Sequence, residues 1–330
     1  MHGTALSLGS TDAAEGGARG DDWLRSGSSR AETAMIKPVL TDGPGWLTRQ
    51  EKTAVERISE EGSVAQVDPL RLSHFLLEKA VSRGVKLHQP AQATSLLHDS
   101  NNVLTGVQIT NIHTKTTTTL PCTNLILAAG SWRPSLFTTL FPSSTTTFPI
   151  TPLAGYSLVV RSPRHTIAHE REINNTSHAI YIAGLNSWKI PVPGSVEELK
   201  ERYYRKSEMR KVKSVTTRLI GVLPAGVSEA IDGVENVNDL EILREGLCLR
   251  PVADRGVPFV TRIDDHLLGN GVRTEKSGGV FIAAGHGPWG ISLSLGTGKV
   301  VADLVRGVEP SVDVSGLGVG GGDGQMRAKL

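Results

Sequence analysis

The chain has 330 residues, a formal net charge of +2, 38% hydrophobic and 21% charged residues. That profile suits a globular protein long enough for two domains, and so small a charge gives no electrostatic case for nucleic acid or an anionic membrane. No run of about 18 apolar residues occurs, so no membrane-spanning helix is expected. The opening "MHGTALSLGSTDAAEGG" lacks the basic and apolar regions of a secretory leader. The cysteines, Cys122 and Cys248, form no CxxC, and no metal-ligand cluster is found; each reads as a small buried apolar residue.

Residues 1–34 are rich in Gly, Ser, Ala and charge and are expected to be poorly ordered. Ordered structure is clearest from Asp68. Asp68 suits a helix cap, Pro69 its first position and Gly84 its end, with Leu72, Phe75, Leu76 and Ala80 at helical spacing. "VKLHQ" then reads as a short strand, and "ATSLLHD" and "VLTGVQIT", parted by "SNN", as a hairpin. "TTTTLP" can add a third antiparallel strand. "NLILAAGS", Asn124 to Ser131, is an apolar run stopped by glycine, as a buried parallel strand is. From about Ile150, "GYSLVVRS" and "HAIYIAGL" read as strands of a second sheet. Ser195 and Glu198 make a capping box for a charged helix over 196–212. "LEILREGLCLRPV" and "VPFVTRI" return as strands, and the chain closes on "GVFIAAGHGPWGISLSLGTGKVVADLV", Gly279 to Val305.

That closing stretch runs a strand into glycines and then a helix. "GTGKV" is not a P-loop, because Leu293 and Val300 stand where the motif needs glycine and a hydroxyl. Gly285, Gly287 and Gly290 match GxGxxG, but no second strand follows, and Gly316, Gly318 and Gly321 repeat the spacing in the tail. A nicotinamide-linked reductase therefore has only this pattern behind it. Glycines allow close backbone approach, and a helix N-terminus favours an anion, so the stretch reads either as one lip of a cofactor site or as tight strand–helix packing.

Three segments carry a resemblance when taken in order: "AQVDPLRLSHFLLEKAVSRGVKL", "NLILAAGSW", and "LCLRPVADRGVPFVTRI" followed by the closing stretch. Together they resemble FAD-dependent oxidoreductases of the D-amino-acid oxidase superfamily, and "GYSLVVRSP" and "IYIAGLN" resemble a fungal branch of it. The resemblance spans roughly 64–306 and implies an α/β (α+β) fold. A mostly parallel FAD-binding domain would comprise 63–144 and 247–307, and an antiparallel-sheet substrate domain 35–62 and 145–246, with a disordered tail over 308–330. It further implies that Gly285, His286, Gly287, Trp289, Gly290 and Ile291 lie along the flavin, that the backbone of Ala93 meets the adenine, and that Gly130 and Trp132 flank the ribose and pyrophosphate. Arg250 would hold a substrate carboxylate, a task suited to a guanidinium fork. For each the packing alternative stays open: Arg250 as an ion-pair partner, Trp132 and Trp289 as core, His286 as a backbone contact without an acid–base role.

The superfamily opens with a strand–GxGxxG–helix–strand–Glu unit that cradles the pyrophosphate, and this pattern is not found here. "EGGARGDDW" resembles the loop that follows that unit, with Gly16 and Gly17 as its cofactor-facing glycines. The resemblance thus implies a chain that starts inside its flavin domain, after the first βαβ unit. Two functions follow. One is an oxidoreductase (an oxidase) that oxidises an amine or amino-acid-like small molecule by hydride transfer to FAD, inactive as written if the absent unit is essential; the other is a non-catalytic remnant serving as a binding or scaffold protein. The terminal Ala328-Lys329-Leu330 resembles a peroxisomal address and implies an import receptor as partner, with the cytoplasm as the alternative location.

Overall fold

In the computed structural model, residues 67–162, 188–221 and 240–319 are described continuously, with short pieces at 3–8, 39–41, 46–48, 53–57 and 177–182 and the positions 164, 166 and 168. The fold is a mixed α/β one. Its strands are β1 (Gly3–Leu8), β2 (Val39–Thr41), β3 (Thr53–Arg57), β4 (Ala91–His98), β5 (Leu104–Asn111), β6 (Thr117–Pro121), β7 (Asn124–Leu127), β8 (Ile150–Arg161), β9 (Ser177–Ile182), β10 (Trp188–Lys189), β11 (Glu241–Ala253), β12 (Phe259–Ile263) and β13 (Gly279–Ala284). Its helices are α1 (Pro69–Ser82), α2 (Arg133–Leu140), α3 (Val196–Tyr203), α4 (Lys206–Ile220) and α5 (Gly290–Val305). Two compact units result: 1–67, 154–188 and 193–248 form one, and 68–153, 189–192 and 249–330 the other. Their boundary cuts β8, β10 and β11.

The first unit holds the sheet β2-β3-β1-β9, in which β1 pairs antiparallel with β3 and parallel with β9. Gly3–Leu8, expected to lack order, is therefore a strand with two partners. Ser195 caps α3 by accepting from the Glu198 amide at 3.1 Å, while the Glu198 carboxylate accepts from the Gly194 amide at 2.6 Å. The helix expected over 196–212 is interrupted at Tyr204, whose backbone is extended, and a second helix runs on to Ile220. The break has a cause. The Tyr204 hydroxyl donates to Glu245 on β11 at 2.6 Å, and the freed Arg205 amide donates to the Tyr156 hydroxyl at 2.8 Å. Lys213 of α4 closes the cluster as an ion pair with the other oxygen of Glu245. Cys248, expected to be buried, is exposed, because on β11 it alternates with the buried Leu247.

The second unit carries two three-stranded sheets. The hairpin sheet β4-β5-β6 is antiparallel throughout, and Asn102 turns it with φ 59° while Asp99 accepts from the Asn101 and Val103 amides at 2.8 and 2.9 Å. The other sheet has the order β12-β13-β7, with β7 and β13 parallel and β12 antiparallel. "VKLHQ", expected as a strand, pairs with nothing among the described residues, and Val85 and Leu87 are exposed. The core joins Leu127, Phe137, Phe141, Phe148, Phe259, Val280 and Ile282, so β7, β13 and α2 share one apolar layer. Val300 and Val301 of α5 pack with Val260 of β12. Residues 308–319, expected to be disordered, instead include a 3-10 turn at Ser315–Leu317, and the Arg255 guanidinium donates to the Gly318 carbonyl at 2.6 Å.

Candidate functional site

The parallel pair of the second unit ends in the same kind of joint twice. The register Ile282↔Leu127 sets the C-terminal ends of β13 and β7 side by side. After β7 the chain turns at Gly130 (φ 54°) and passes through a 3-10 turn, Gly130–Trp132, into α2. After β13 it turns at Gly285 (φ 86°) and Gly287 (φ 56°) and passes through a 3-10 turn, Gly287–Trp289, into α5. Neither helix has a side-chain cap or an acid in its first turn. Two strand–turn–helix joints therefore stand outside the carboxyl ends of two parallel strands, where open α/β sheets bind ligands.

Gly285 is required twice over. Its φ lies where L side chains are strained, and a Cβ there would stand 2.9 Å from the Cβ of Ala253. The close approach is fixed by the Ala253 amide, which donates to the Gly285 carbonyl at 3.2 Å, and by a bridge between Val252 and His286. The His286 ring reaches Thr297 of α5, with Nε2 3.0 Å from Oγ1, and burial pushes its pKa below the ordinary 6.5. A neutral imidazole thus clips the joint to the helix it opens. Trp289 and Ile291 are exposed, which removes Trp289 from the core, whereas Trp132 is half-buried. Gly290 is the first residue of α5.

Arg250 lies on β11 two residues before Val252, so the two side chains share a face about 7 Å apart along the strand. A Cβ on Gly287 would touch Val252 Cγ2 at 3.6 Å, which places that face of β11 toward the second joint. Arg250 is half-buried and has no hydrogen-bond or ion-pair partner among the described residues. Its neighbour in "LRPVADRG" contrasts with it. Arg255 stacks 3.8 Å from the Phe259 ring centroid and donates to the carbonyls of Val257, Pro258 and Gly318. Arg255 is thus a structural clip, and Arg250 is the one of the two with no partner for its donors among the described residues.

Ala93 is in β4 at a register shift between Ala93 and Ser95, and it packs on the main core. Gly16, Gly17 and Ala328–Leu330 lie outside the described residues. Sequence reasoning did not single out Ser131 and Arg133, both buried in the first joint with side-chain donors that meet no acceptor. The signal was available: "SWRP" puts an arginine in a helical first turn, where an acid is favoured. Among the described residues no group of three or more His, Cys, Asp or Glu could hold a metal, and no helix is long and apolar enough to cross a membrane.

Residues 42–304 match the family model described as FAD dependent oxidoreductase (DAO). The chain belongs to this family. Among its relatives, a D-amino acid dehydrogenase of Bradyrhizobium diazoefficiens is 26% identical over 59% of this chain and 39% of that protein. A D-amino acid dehydrogenase of Paramagnetospirillum magneticum is 25% identical over 88% of this chain and 58% of that protein. The chain thus spans less than two thirds of the length of either relative. The solved glycine oxidase from Geobacillus kaustophilus superposes with a TM-score of 0.61 at 17% identity, covering 96% of this chain and 74% of that one, and so shares the fold. The joints of this DAO-family chain fit the cofactor in the family's name. FAD carries a diphosphate, and here turns at positive-φ glycines lie beside the Ser131 hydroxyl and the Arg133 guanidinium, which have no hydrogen-bond partner among the described residues.

Proposed function

We propose that the chain serves as an FAD-dependent oxidoreductase acting on an amine that also bears a carboxylate, an amino-acid-like small molecule. The observation that carries this reading is Arg250, a half-buried guanidinium without a partner among the described residues, on the strand face that meets the glycine joint. Family membership and the D-amino acid dehydrogenase relatives support it.

The roles follow from chemistry. Bound FAD supplies the two-electron acceptor. The joint from Gly285 to Ile291 would border the flavin, with Trp289 and Ile291 as apolar walls and the α5 amides favouring negative charge beside them. Gly130, Trp132 and Ala93 would border the adenosine half, and Gly16 and Gly17 would add to it. Arg250 would hold the substrate carboxylate through two parallel charge-assisted hydrogen bonds, fixing the amine-bearing carbon in line for transfer. His286 is engaged with Thr297 and holds a wall in place rather than moving a proton. On this reading 63–144 and 247–307 hold the cofactor, and 35–62 and 145–246 form the substrate domain.

Arg250→Met tests the assignment. Removing a bidentate pair worth about 3 kcal/mol raises KM for amino acids about a hundredfold, while amines without a carboxylate lose little. Equal effects on both substrate classes would overturn the role of Arg250.

A further inference from the structure

The first unit presents one helix face of a single charge sign. Between Lys200 and Arg218 stand eight basic and two acidic residues, a net +6 in a chain whose total is +2, so the rest of the chain is net −4. α4 turns this charge outward. Its exposed residues are Lys206, Ser207, Arg210, Lys211 and Arg218, four of the five basic. At about 100° per residue they fall within one arc of about 140°. The apolar side faces in, with Met209 and Leu219 buried, and Lys213 pairs inward with Glu245. Lys211 meets Glu208 at 2.8 Å and Arg202 meets Glu198 at 3.3 Å, but exposed pairs of this kind are weak and easily screened. With those carboxylates counted, cations still outnumber anions on this face. The arrangement also works against the helix that carries it. Lys206 and Arg210 are like charges at i,i+4, and Arg205 and Lys206 set cations at the positive end of the dipole, where no side chain caps. A sequence that keeps such local costs on an exposed face points to a use for the charge.

We infer that the outward face of α4 docks a short acidic segment of a partner protein, rich in Asp or Glu. From Lys206 to Arg218 the helix is about 18 Å long, a span that about six extended residues cover. Carboxylates on such a segment suit the guanidinium forks of Arg210 and Arg218. An anionic membrane suits the face less, because an interfacial helix lays an apolar side into lipid and here that side is buried. A long nucleic acid suits it less too, since it carries charge past the face toward a remainder that is net negative. The inference is independent of the flavin reading, in which none of these residues has a role.

The test titrates dye-labelled hexaglutamate with the 330-residue protein and follows its anisotropy. A saturable rise is expected at about 20 mM salt, fading as salt is raised to about 300 mM. Lys206→Gln/Arg210→Gln/Arg218→Gln removes three exposed charges and no core group, and is expected to bind the peptide about tenfold more weakly. Lys206→Gln/Lys211→Gln should weaken it in the same direction, so the face can be judged even if the triple variant does not fold. Lys86→Gln/Lys115→Gln/Lys276→Gln makes the same change in net charge elsewhere, at exposed positions of the second unit, and should bind as the wild type does. Equal weakening in this control would overturn the face as the site. Tighter binding to phosphatidylserine-containing vesicles or to oligothymidylate, lost in the triple variant, would overturn the acidic peptide as occupant. No rise in anisotropy at low salt would overturn the inference outright. Hexaglutamate bound through α4 by a protein that takes up no FAD would leave this face standing and count against the flavin reading alone.

Discussion

His286 shows how one side chain ties the joint to its helix. Its ring is partly buried and meets Thr297, and burial holds its pKa below 6.5. The sign of the pH effect follows. The unfolded chain binds a proton more readily than the folded one, so the stability from a neutral His286 is full above about pH 6.5 and is lost as pH falls through the lower folded value. Melting temperature followed from pH 8 to pH 5 should therefore fall on the acid side, and His286→Gln should flatten that limb while keeping a hydrogen bond to Thr297. An unchanged acid limb in His286→Gln would remove His286 as its source. The arginines show the same logic of partners. Arg255 donates to three carbonyls, whereas among the described residues Arg250 has no partner on its half-buried face and Arg133 in the core has ring contacts but no hydrogen bond from its guanidinium. No pattern of spacing separates these three in the sequence, because the difference lies in what surrounds each guanidinium.

At the scale of elements, local chemistry was legible and tertiary interruption was not. Asp68 caps α1 by accepting from the Leu70 and Arg71 amides at 2.9 and 3.0 Å, Pro69 opens it and Gly84 follows it at φ 94°, as the sequence indicated. The helix buries no residue, and Leu70, Phe75 and Val81 are exposed, so the cap is a large part of what holds its first turn. Asp68→Ala should cost about 1 kcal/mol. Hydrogen exchange should show faster amides at Leu70 to Ser73 while the β7 and β13 amides stay protected; slowed exchange, or a loss shared by the whole second unit, would contradict a local role. The hairpin at Asp99–Asn102 and the parallel run from Asn124 were legible for the same reason, since turn residues and apolar runs act locally. The break at Tyr204 was not, because it depends on Glu245 more than 40 residues away. "VKLHQ" failed as a strand although its composition suits one, since a strand needs a neighbour to pair with. The order at 308–319 was hidden by glycine content and comes from Arg255 reaching Gly318.

At the scale of the molecule, the second unit sets two strand–glycine–helix joints side by side, and Arg250, without a partner among the described residues, shares a strand face with Val252, which meets the later joint. The two joints were legible unequally. The closing stretch was conspicuous for its glycines, while the first joint, with a single glycine, kept Arg133 out of view because Phe137 and Phe148, outside the motif, pack on its guanidinium. The family is established over residues 42–304, and the central claim is that this chain takes up FAD through these joints. The most direct measurement is the visible absorption spectrum of FAD titrated with the purified 330-residue protein. The expected result is a saturable shift and sharpening of the flavin bands, followed by bleaching when an amino acid is added without oxygen. Flavin bands that stay those of free FAD at every protein concentration would contradict the claim.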